Sequence, residues 1–298
     1  MPRANYDLPE ELLEKVIVQR RHVIAVQNEK GGVAKTPYTF HMATALAEAG
    51  CKVLCIDLDP QGDLTTTLAL YALEYRGDFT AQELALANTF TVFDDDASSI
   101  PLKINDNLEL MVGSHSLVGL QGMGQDRMVM LQEFARGPHP SGGVDYDFVF
   151  IDCPPVAGNY TTAAAMAATD ILIPTRPEEY SDKAVRKHVK TIERLKPYNP
   201  VINVLGVLIT DVRKNVNIES DFVDKIRGHG FEEADEKVRA EAEKIGRLVF
   251  NAQVHKKASF NAATTMGVPL FRYEKSELVD ELYAVLVEML ERMAEGEG

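Results

Sequence analysis

Residues 28–36 read Asn-Glu-Lys-Gly-Gly-Val-Ala-Lys-Thr and bring together the residue types that bind phosphate groups. An apolar run at 23–26 precedes them, and a helix-like segment at 38–49 follows. In such a strand–loop–helix arrangement, converging backbone N–H groups and the helix N-terminus attract an anion. The Lys35 side chain can reach the outer phosphates of a nucleotide, and the Thr36 hydroxyl can bind Mg²⁺. The pattern predicts a nucleotide-binding loop.

The loop departs from the strict phosphate-binding pattern, in which positions 29 and 34 are both Gly. This chain has Glu29 and Ala34 there, and it fits only the looser form Lys-Gly-Gly-x-x-Lys-Thr. As a bare string, the looser form also occurs in surface loops, where Gly and Lys are common. Lys30, just before the glycine pair, is not required by an ordinary nucleotide-binding loop. Its presence needs an explanation of its own.

Carboxylates follow two further predicted strands. Asp57 and Asp59 end an apolar run at 52–58, and Asp152 ends another at 148–152. The carboxyl ends of parallel strands gather at one edge of a sheet, where ligands bind, so these side chains should lie beside the loop. Carboxylates near phosphates repel them unless a divalent cation, or a water molecule to be oriented, lies between. Asp152 stands where nucleotide-binding proteins hold Mg²⁺ through water, although each aspartate could also be an ordinary turn residue.

Apolar runs alternate along the chain with segments of helical character. Several of the runs are continuous, which is typical of strands buried on both faces of a parallel sheet. The predicted fold class is α/β, with a doubly wound, mostly parallel sheet and helices on both faces. Strands are predicted at 23–27, 52–58, 108–112, 148–152, 170–174, 204–210 and 247–250. Helices are predicted at 9–19, 38–49, 63–73, 128–135, 161–168, 181–195, 218–227, 232–244, 259–266 and 277–293.

No long Pro-, Gly- or Ser-rich linker divides the chain. We therefore expect a short helical lead at 1–22, followed by a single domain at 23–298. The last predicted helix places Leu278, Leu282 and Leu286 on one stripe, and this stripe should pack on the sheet.

The composition of the 298-residue chain is that of an ordinary soluble globular protein, with 45% hydrophobic and 26% charged residues. The 45 acidic and 31 basic residues give a net charge of −14, which argues against generalised nucleic-acid binding but not against a local basic patch. No apolar run is long enough to span a bilayer, and from the polar, acidic N-terminal stretch we expect no signal peptide. We interpret Cys51, Cys55 and Cys153 as small core residues in a reducing cytosol.

Three motifs together resemble those of the ParA family of partition ATPases, which belongs to a larger group with the cell-division regulator MinD. The family's deviant Walker A motif, Lys-Gly-Gly-x-x-Lys-[Thr/Ser], is matched at 30–36. Its acidic motif Asp-x-Asp-Pro-Gln-Gly is matched at 57–62, and its Walker B motif Ile-Asp-Cys-Pro-Pro at 151–155. The resemblance covers about residues 22–290, with the motifs in the family's order. It implies a P-loop NTPase fold.

The resemblance implies ATP and Mg²⁺ as cofactors and a role for each motif residue. In the family, the first lysine, here Lys30, reaches across a dimer to the partner's ATP, which explains the extra cation. Lys35 would bind the β- and γ-phosphates and Asp59 would position the attacking water, so these two join Lys30 as catalytic candidates. The candidates for holding Mg²⁺, with both aspartates in its outer shell, are Thr36, Asp57 and Asp152. The nucleotide-binding candidates are Gly31, Gly32, Val33, Ala34, Lys35, Thr36 and Pro37.

Two positions depart from the family's pattern. The family usually has Gly where this chain has Ala34, and Thr or Ser where it has Pro37. If position 34 needs a positive φ, alanine costs about 1 kcal/mol there. Proline is compatible with the first helical turn but removes one N–H near the phosphates. Both changes bear on the hydrolysis rate more than on nucleotide binding.

The resemblance further implies an ATP-dependent dimerising switch that partitions or positions DNA, such as a plasmid or chromosome, or another large cargo. ATP would join two subunits, and hydrolysis, slow by itself and stimulated by a ParB-type partner, would part them. The ATP-bound dimer would bind DNA without sequence preference, weakly and with salt sensitivity given the overall acidity. We therefore expect a cytoplasmic, nucleoid-associated protein. The DNA-binding candidates are Arg213, Lys214, Arg247, His255, Lys256, Lys257 and Arg272.

Two other functions stay open. A MinD-like positioning ATPase would end in a basic amphipathic membrane helix, whereas residues 279–297 hold six acidic residues and one arginine. Anionic lipid should repel such a segment, so we expect no membrane binding. A metabolic ATP-dependent enzyme on the same fold is not excluded by the motifs. Its iron–sulfur branch is disfavoured, because Cys51, Cys55 and Cys153 are not placed as cluster ligands.

Overall fold

A mostly parallel sheet forms the centre of the protein. The computed structural model describes residues 8–143, 145–213, 217–231 and 233–295, and these residues form an eight-stranded sheet. Four of the strands consist entirely of buried residues, as their continuous apolar character predicted. The strands are β1 (His22–Val26), β2 (Val53–Asp57), β3 (Leu102–Lys103), β4 (Leu108–Met111), β5 (Phe148–Asp152), β6 (Asp170–Thr175), β7 (Asn203–Val212) and β8 (Val254–His255).

The strand order brings the motif-bearing strands together. Across the sheet the order is β3-β4-β2-β5-β1-β6-β7-β8. All neighbouring pairs are parallel except β3 and β4, which are antiparallel. The register pairs Val26 of β1 and Asp57 of β2 with Asp152 of β5, one on each side. The carboxyl ends of the three central strands therefore meet at one edge, as predicted.

Helices cover both faces of the sheet. Ile24 and Val26 of β1 pack into one core, while Val23 and Ala25 pack into the other. The predicted doubly wound α/β class is therefore confirmed. The helices are α1 (Glu10–Gln19), α2 (Lys35–Glu48), α3 (Asp63–Ala72), α4 (Ala81–Leu86), α5 (Met130–Arg136), α6 (Asn159–Ala167), α7 (Ser181–Glu193), α8 (Asn217–Ile226), α9 (Glu236–Leu248), α10 (Ala258–Thr265), α11 (Leu270–Tyr273) and α12 (Glu277–Glu295). Shorter 3₁₀ turns occur at Thr89–Phe93, His115–Gly122 and Gln125–Val129.

The first and last helices pack on each other. Leu13 and Val16 of α1 are buried in the same core as the apolar stripe of α12. The Gln19 Nε2 atom donates a hydrogen bond to Ala294 O at 2.9 Å. Burial of Leu278, Leu282 and Leu286 confirms the predicted stripe. Among the described residues, no helix combines the length and the apolar character that a membrane crossing requires.

The strand predicted at 247–250 is wrong. Helix α9 continues to Leu248, and Val249 forms only an isolated bridge to Val207. Phe250 packs against β7, where a Cβ on Gly206 would overlap its ring. The apolar run therefore reflects burial against β7 and not strand pairing. The two-residue strands β3 and β8 were not predicted, because segments that short show no periodicity.

Candidate functional site

The loop between β1 and α2 carries backbone strain. Gly32 and Ala34 both adopt left-handed conformations, with φ of 70° and 63°. Glycine accepts this region freely, whereas alanine in it costs about 1–2 kcal/mol. Position 34 therefore does need a positive φ. Pro37 lies in the first turn of α2, where its ring is tolerated.

Lys35 is folded back under this loop. Its Nζ donates to the carbonyl oxygens of Asn28 at 3.1 Å and Lys30 at 3.2 Å, and the residue is 7% exposed. Burial lowers the pKa of the Lys35 ammonium, and the nearby charge of Asp152 opposes that shift. The two carbonyls leave one of its three protons unused. An anion in the loop would both accept this proton and stabilise the charged form.

Asp152 is held by hydroxyl groups of α2. Its Oδ2 accepts from Thr36 Oγ1 at 2.5 Å, and its Oδ1 accepts from Thr39 Oγ1 at 3.2 Å. Burial, and next the charge of Asp57, raise the pKa of the Asp152 carboxyl to about 8. A neighbouring cation would reverse this shift, because it favours the ionised form.

Asp57 is fixed by donors from three directions. Its Oδ2 accepts from the backbone N–H of Thr65 at 2.9 Å and from Thr65 Oγ1 at 2.7 Å, and its Oδ1 accepts from Asp59 N at 3.1 Å. Burial raises the pKa of the Asp57 carboxyl to about 7. A Cβ on Gly113 would lie only 2.5 Å from Asp57 Cγ, so glycine makes room for the carboxylate. With its oxygens already engaged, Asp57 suits an indirect contact to a cation better than a direct one.

A cavity of about 570 Å³ opens in front of the loop. Asp59 faces it, and the Oδ1 atom of Asp59 accepts from Gln61 N at 2.9 Å, which fixes the turn after β2. Its lining includes Gly32, Val33, Ala34, Lys35, Thr36, Pro37, Asp59, Pro60, Gln61, Asp63, Cys153, Pro154, Pro155, Val156, Tyr160, Arg176 and Asn261. All the nucleotide-binding candidates except Gly31 therefore border one space.

The residues around this cavity fit a magnesium nucleotide. The Lys35 ammonium donates to two backbone carbonyl oxygens. Gly32, which also lines the cavity, has no side chain to occupy it. The oxygens of Thr36 and Asp152 are of the kind that Mg²⁺ prefers. In the described part of the chain, no group of three or more His, Cys, Asp or Glu side chains is arranged around a metal position. Mg²⁺ is commonly bound through one or two protein oxygens together with water and phosphate, a role that Thr36 and Asp152 could fill.

Lys30 does not line this cavity, although it stands in the same loop. Its Nζ forms an ion pair with Glu178 Oε2 at 2.5 Å, and the two side chains are 40% and 49% exposed. The Lys30 N–H donates to Asn28 Oδ1 at 2.9 Å, while Asn28 Nδ2 donates to Pro174 O at 2.8 Å. The ammonium therefore sits on the surface beside the loop.

Comparison with known proteins agrees with this geometry. A family model described as an AAA domain matches residues 21–204, more than half of the chain. The chain belongs to this family. Among similar proteins, "Chromosome partitioning protein ParA" of Myxococcus xanthus is 27% identical over 274 residues, covering 91% of this chain and 88% of that protein. The protein of the same name from Caulobacter vibrioides is 26% identical over 256 residues, covering 85% and 87%. The resemblance to the ParA family is confirmed.

Solved structures resemble the fold of this ParA-family chain. Apo McdA of Cyanothece covers 94% of this chain and 100% of its own, with a TM-score of 0.67 at 19% identity. Cobyrinic acid a,c-diamide synthase of Mycobacterium smegmatis, solved with ADP and magnesium, covers 83% and 91%, with a TM-score of 0.62 at 26% identity. The predicted P-loop NTPase fold is confirmed.

The DNA-binding candidates of this ParA-family chain do not form one patch. Arg213 follows β7, and the Lys256 N–H donates to Val212 O at 2.9 Å, which places these two basic residues and Lys257 close together. Arg213 pairs with Glu219, and Arg247 lies exposed on α9.

Two other candidates are tied to carboxylates. The His255 Nδ1 atom lies 2.7 Å from Glu281 Oε1. Arg272 pairs with both Glu48 and Glu74, so its charge is balanced within the protein. Lys214 lies outside the described residues.

Sequence reasoning missed several residues of the site. Thr39 and Thr65 orient the two buried aspartates, and Arg176 lines the cavity from the end of β6. The strand-end position of Arg176 is the signal that could have found it.

Proposed function

We propose that this chain is an ATP-driven switch that partitions or positions DNA or another large cargo. In this proposal, two copies pair when each binds Mg²⁺–ATP, and hydrolysis separates them. The observation that carries it is that two lysines of one loop have different surroundings. Lys35 is buried under its own loop, whereas Lys30 is exposed beside it and is free of the cavity. A second copy facing the loop would meet the Lys30 ammonium.

The residues of the site would have distinct tasks. Lys35 and the backbone N–H groups of Gly31, Gly32 and Val33 would bind phosphate oxygens, as converging donors at a helix N-terminus do. Thr36 would hold Mg²⁺, with Asp152 and Asp57 orienting its water shell. When bound, Mg²⁺ neutralises phosphate charge and lets two buried carboxylates remain ionised. Asp59, which borders the cavity without being buried in it, would orient the attacking water.

Lys30 would complete the site of the other copy. To do so its Nζ must leave Glu178, an exchange between two exposed groups in which little ion-pair energy is lost. The new partner would be a phosphate oxygen in a space closed to water by the two subunits. There a charge-assisted hydrogen bond is stronger than on an open surface.

DNA and a ParB-type activator are the partners that this proposal implies. The ParA name of the relatives supports them, and so does the basic group of Arg213, Lys256 and Lys257. Because the net charge is −14, DNA binding should be weak and should fall steeply as salt is raised. The MinD-like alternative loses support, because the apolar stripe of α12 is buried in the core and would not be free to enter a lipid surface.

Light scattering with Mg²⁺ and a non-hydrolysable ATP analogue tests the proposal. We expect the wild-type mass to rise from 33.0 kDa to twice that value. Lys30→Ala should stay at the single mass while still binding the nucleotide. Lys103→Ala is the matched control, because Lys103 is an exposed lysine that also pairs with a carboxylate, Asp106, at the far edge of the sheet. Dimerisation of Lys30→Ala to the wild-type extent would contradict the proposal.

A metabolic ATP-dependent enzyme remains the second candidate. The likeness to cobyrinic acid a,c-diamide synthase favours it. An assay of ATP hydrolysis with carboxylic acids as co-substrates separates the two functions. Acid-dependent turnover without nucleotide-dependent dimers would favour the enzyme, and the reverse would favour the switch.

A further inference from the structure

Arg176 is a second cation of the cavity, and the Walker motifs do not account for it. It directly follows β6 and lines the cavity together with the nucleotide-binding loop. A Cβ placed on Gly32 would lie 3.4 Å from Arg176 Nη1, so the guanidinium rests against the loop itself. Its backbone is fixed, since Arg176 O accepts from Ser181 Oγ at 2.7 Å and from Glu178 N at 2.9 Å.

The partner of this guanidinium stands at an irregular point of β7. The Arg176 Nη2 atom pairs with Asp211 Oδ2. Asp211 has a φ of 57°, and the pairing of β7 with β8 shifts register between Thr210 and Val212. Such bulges redirect a side chain, and a left-handed non-glycine residue is a form of strain that clusters at functional sites. The bulge therefore turns the Asp211 carboxylate to the cavity-lining arginine.

The guanidinium is left with unused donors. Arg176 Nε is buried and has no hydrogen-bond partner among the described residues. A buried donor without a partner is unfavourable, and a planar guanidinium with five N–H donors is well suited to a phosphate group. The cavity also lacks one backbone donor, since Pro37, which borders it, has no N–H. A nucleotide in the cavity would bring phosphate oxygens to the loop against which Arg176 rests.

We propose that Arg176 contacts the outer phosphates of a bound nucleoside triphosphate, and that Asp211 holds it in readiness until the triphosphate arrives. This inference rests on the proposed function only in requiring that the cavity bind a nucleotide. The exchange replaces a carboxylate by phosphate oxygens, which are equally good partners for a guanidinium. The site thereby distinguishes triphosphate from diphosphate in each subunit, independently of Lys30.

The simpler interpretation is a structural ion pair that joins the ends of β6 and β7. The two interpretations differ in the effect that they predict for removing each partner of the pair. If the pair is only structural, removal of either charge should weaken the site in the same way. If Asp211 competes with the nucleotide for Arg176, removing the carboxylate should tighten triphosphate binding, and removing the guanidinium should weaken it.

Calorimetric titration with Mg²⁺–AMPPNP and with Mg²⁺–ADP decides between them. We expect Arg176→Gln to bind the triphosphate analogue about tenfold more weakly, the loss of roughly one charge-assisted contact, with a smaller change for ADP. Arg176→Lys should recover part of the loss. Asp211→Asn should bind the analogue more tightly than the wild type, and asparagine tolerates the left-handed backbone of that position. Circular dichroism confirms that each variant is folded.

Parallel weakening in Arg176→Gln and Asp211→Asn, or an unchanged ratio of the two affinities in Arg176→Gln, would overturn the inference and leave the proposed function standing. Lys35→Ala gives the reference value for the affinity that remains when the ammonium of the nucleotide-binding loop is removed. Absence of binding by the wild type to either nucleotide would overturn both the inference and the proposed function.

Discussion

The two sides of the nucleotide cavity hold their charged groups in different ways. On the side of β2 and β5, here called the locked side, Asp57 and Asp152 are buried and accept hydrogen bonds from neutral groups. The donors are the hydroxyls of Thr36 and Thr65, together with Thr39 and two backbone N–H groups. None of these donors is itself charged.

On the side of β6 and β7, here called the ion-paired side, two cations are each paired with a carboxylate. Lys30 pairs with Glu178, and Arg176 pairs with Asp211. All four side chains keep some exposure, from 14% for Asp211 to 49% for Glu178.

The difference indicates which groups can respond to a ligand. If a neutral hydroxyl breaks its hydrogen bond to a buried carboxylate, that carboxylate remains in a low-dielectric environment without a partner, which is costly in free energy. An exposed cation can exchange one anionic partner for another at small cost. The locked side therefore suits a fixed metal position, and the ion-paired side suits the sensing of phosphate and of a second subunit.

Loss of Lys35 should have the largest effect. Lys35→Ala removes the buried ammonium between the loop and the phosphates, and we expect triphosphate affinity to fall by about a hundredfold or more, as for loss of a buried charged contact. Calorimetry with Mg²⁺–AMPPNP measures it. Lys103→Ala, at the opposite edge of the sheet, should bind as the wild type does. An equally small change of affinity in both variants would show that Lys35 does not contact the nucleotide.

Gly113→Ala tests whether the locked side is as rigid as its contacts indicate. The added Cβ would lie 2.5 Å from Asp57 Cγ, and moving the carboxylate disturbs its bonds to Thr65. We expect a loss of about 1–3 kcal/mol in the free energy of unfolding, typical of overpacking. Denaturant titration measures it. Gly77→Ala is the control, since nothing lies within 4 Å of its Cβ. Equal losses of unfolding free energy in the two variants would show that the Asp57 carboxylate can move at little cost, so the locked side would not be rigid.

Helix α2, which carries Thr36 and Thr39 of the locked side, also includes His41, whose ring is held by neutral hydrogen-bonding groups. The ring is fully buried, its Nδ1 accepts from Leu270 N at 3.3 Å, and its Nε2 lies 3.1 Å from Thr264 Oγ1. Burial lowers the pKa of His41 to about 3 from its ordinary 6.5. Below pH 6.5 the unfolded chain therefore takes up a proton that the folded protein does not. Stability should fall progressively from about pH 6.5 toward pH 3, by about 2 kcal/mol at pH 5.

His41→Gln removes this part of the pH dependence, because glutamine does not titrate. Denaturant unfolding of both proteins at pH 7 and pH 5 measures it. The drop between the two pH values should be smaller in the variant by about 2 kcal/mol, whatever its stability at pH 7. The same drop in both proteins would mean that His41 is not held neutral.

Ala34→Gly should have the smallest effect and the opposite sign. Glycine relieves the left-handed strain at φ 63°, and we expect the free energy of unfolding to rise by about 1 kcal/mol. Ala45→Gly, in the interior of α2, should instead lower it by about 1 kcal/mol. Thermal or denaturant unfolding compares the two. Destabilisation by both changes would mean that the loop is not strained at position 34.

The locked side could be predicted from the sequence, and the ion-paired side largely could not. Asp57 and Asp152 end apolar runs, and parallel strands bring such ends together whatever the loops do. The direction of Asp211 depends on a bulge that the sequence does not signal, and the Lys30–Glu178 pair joins residues 148 positions apart. The left-handed conformation of Ala34 could not be predicted either, because alanine does not itself signal a positive φ.

The central claim, that Lys30 serves the nucleotide of a second copy, is tested most directly by a structure with Mg²⁺ and a non-hydrolysable ATP analogue. We expect two subunits face to face, with each Lys30 released from Glu178 and its Nζ about 2.7–3.2 Å from a phosphate oxygen in the other subunit's cavity. A nucleotide-filled cavity in a single subunit, with Lys30 still paired to Glu178, would contradict the account.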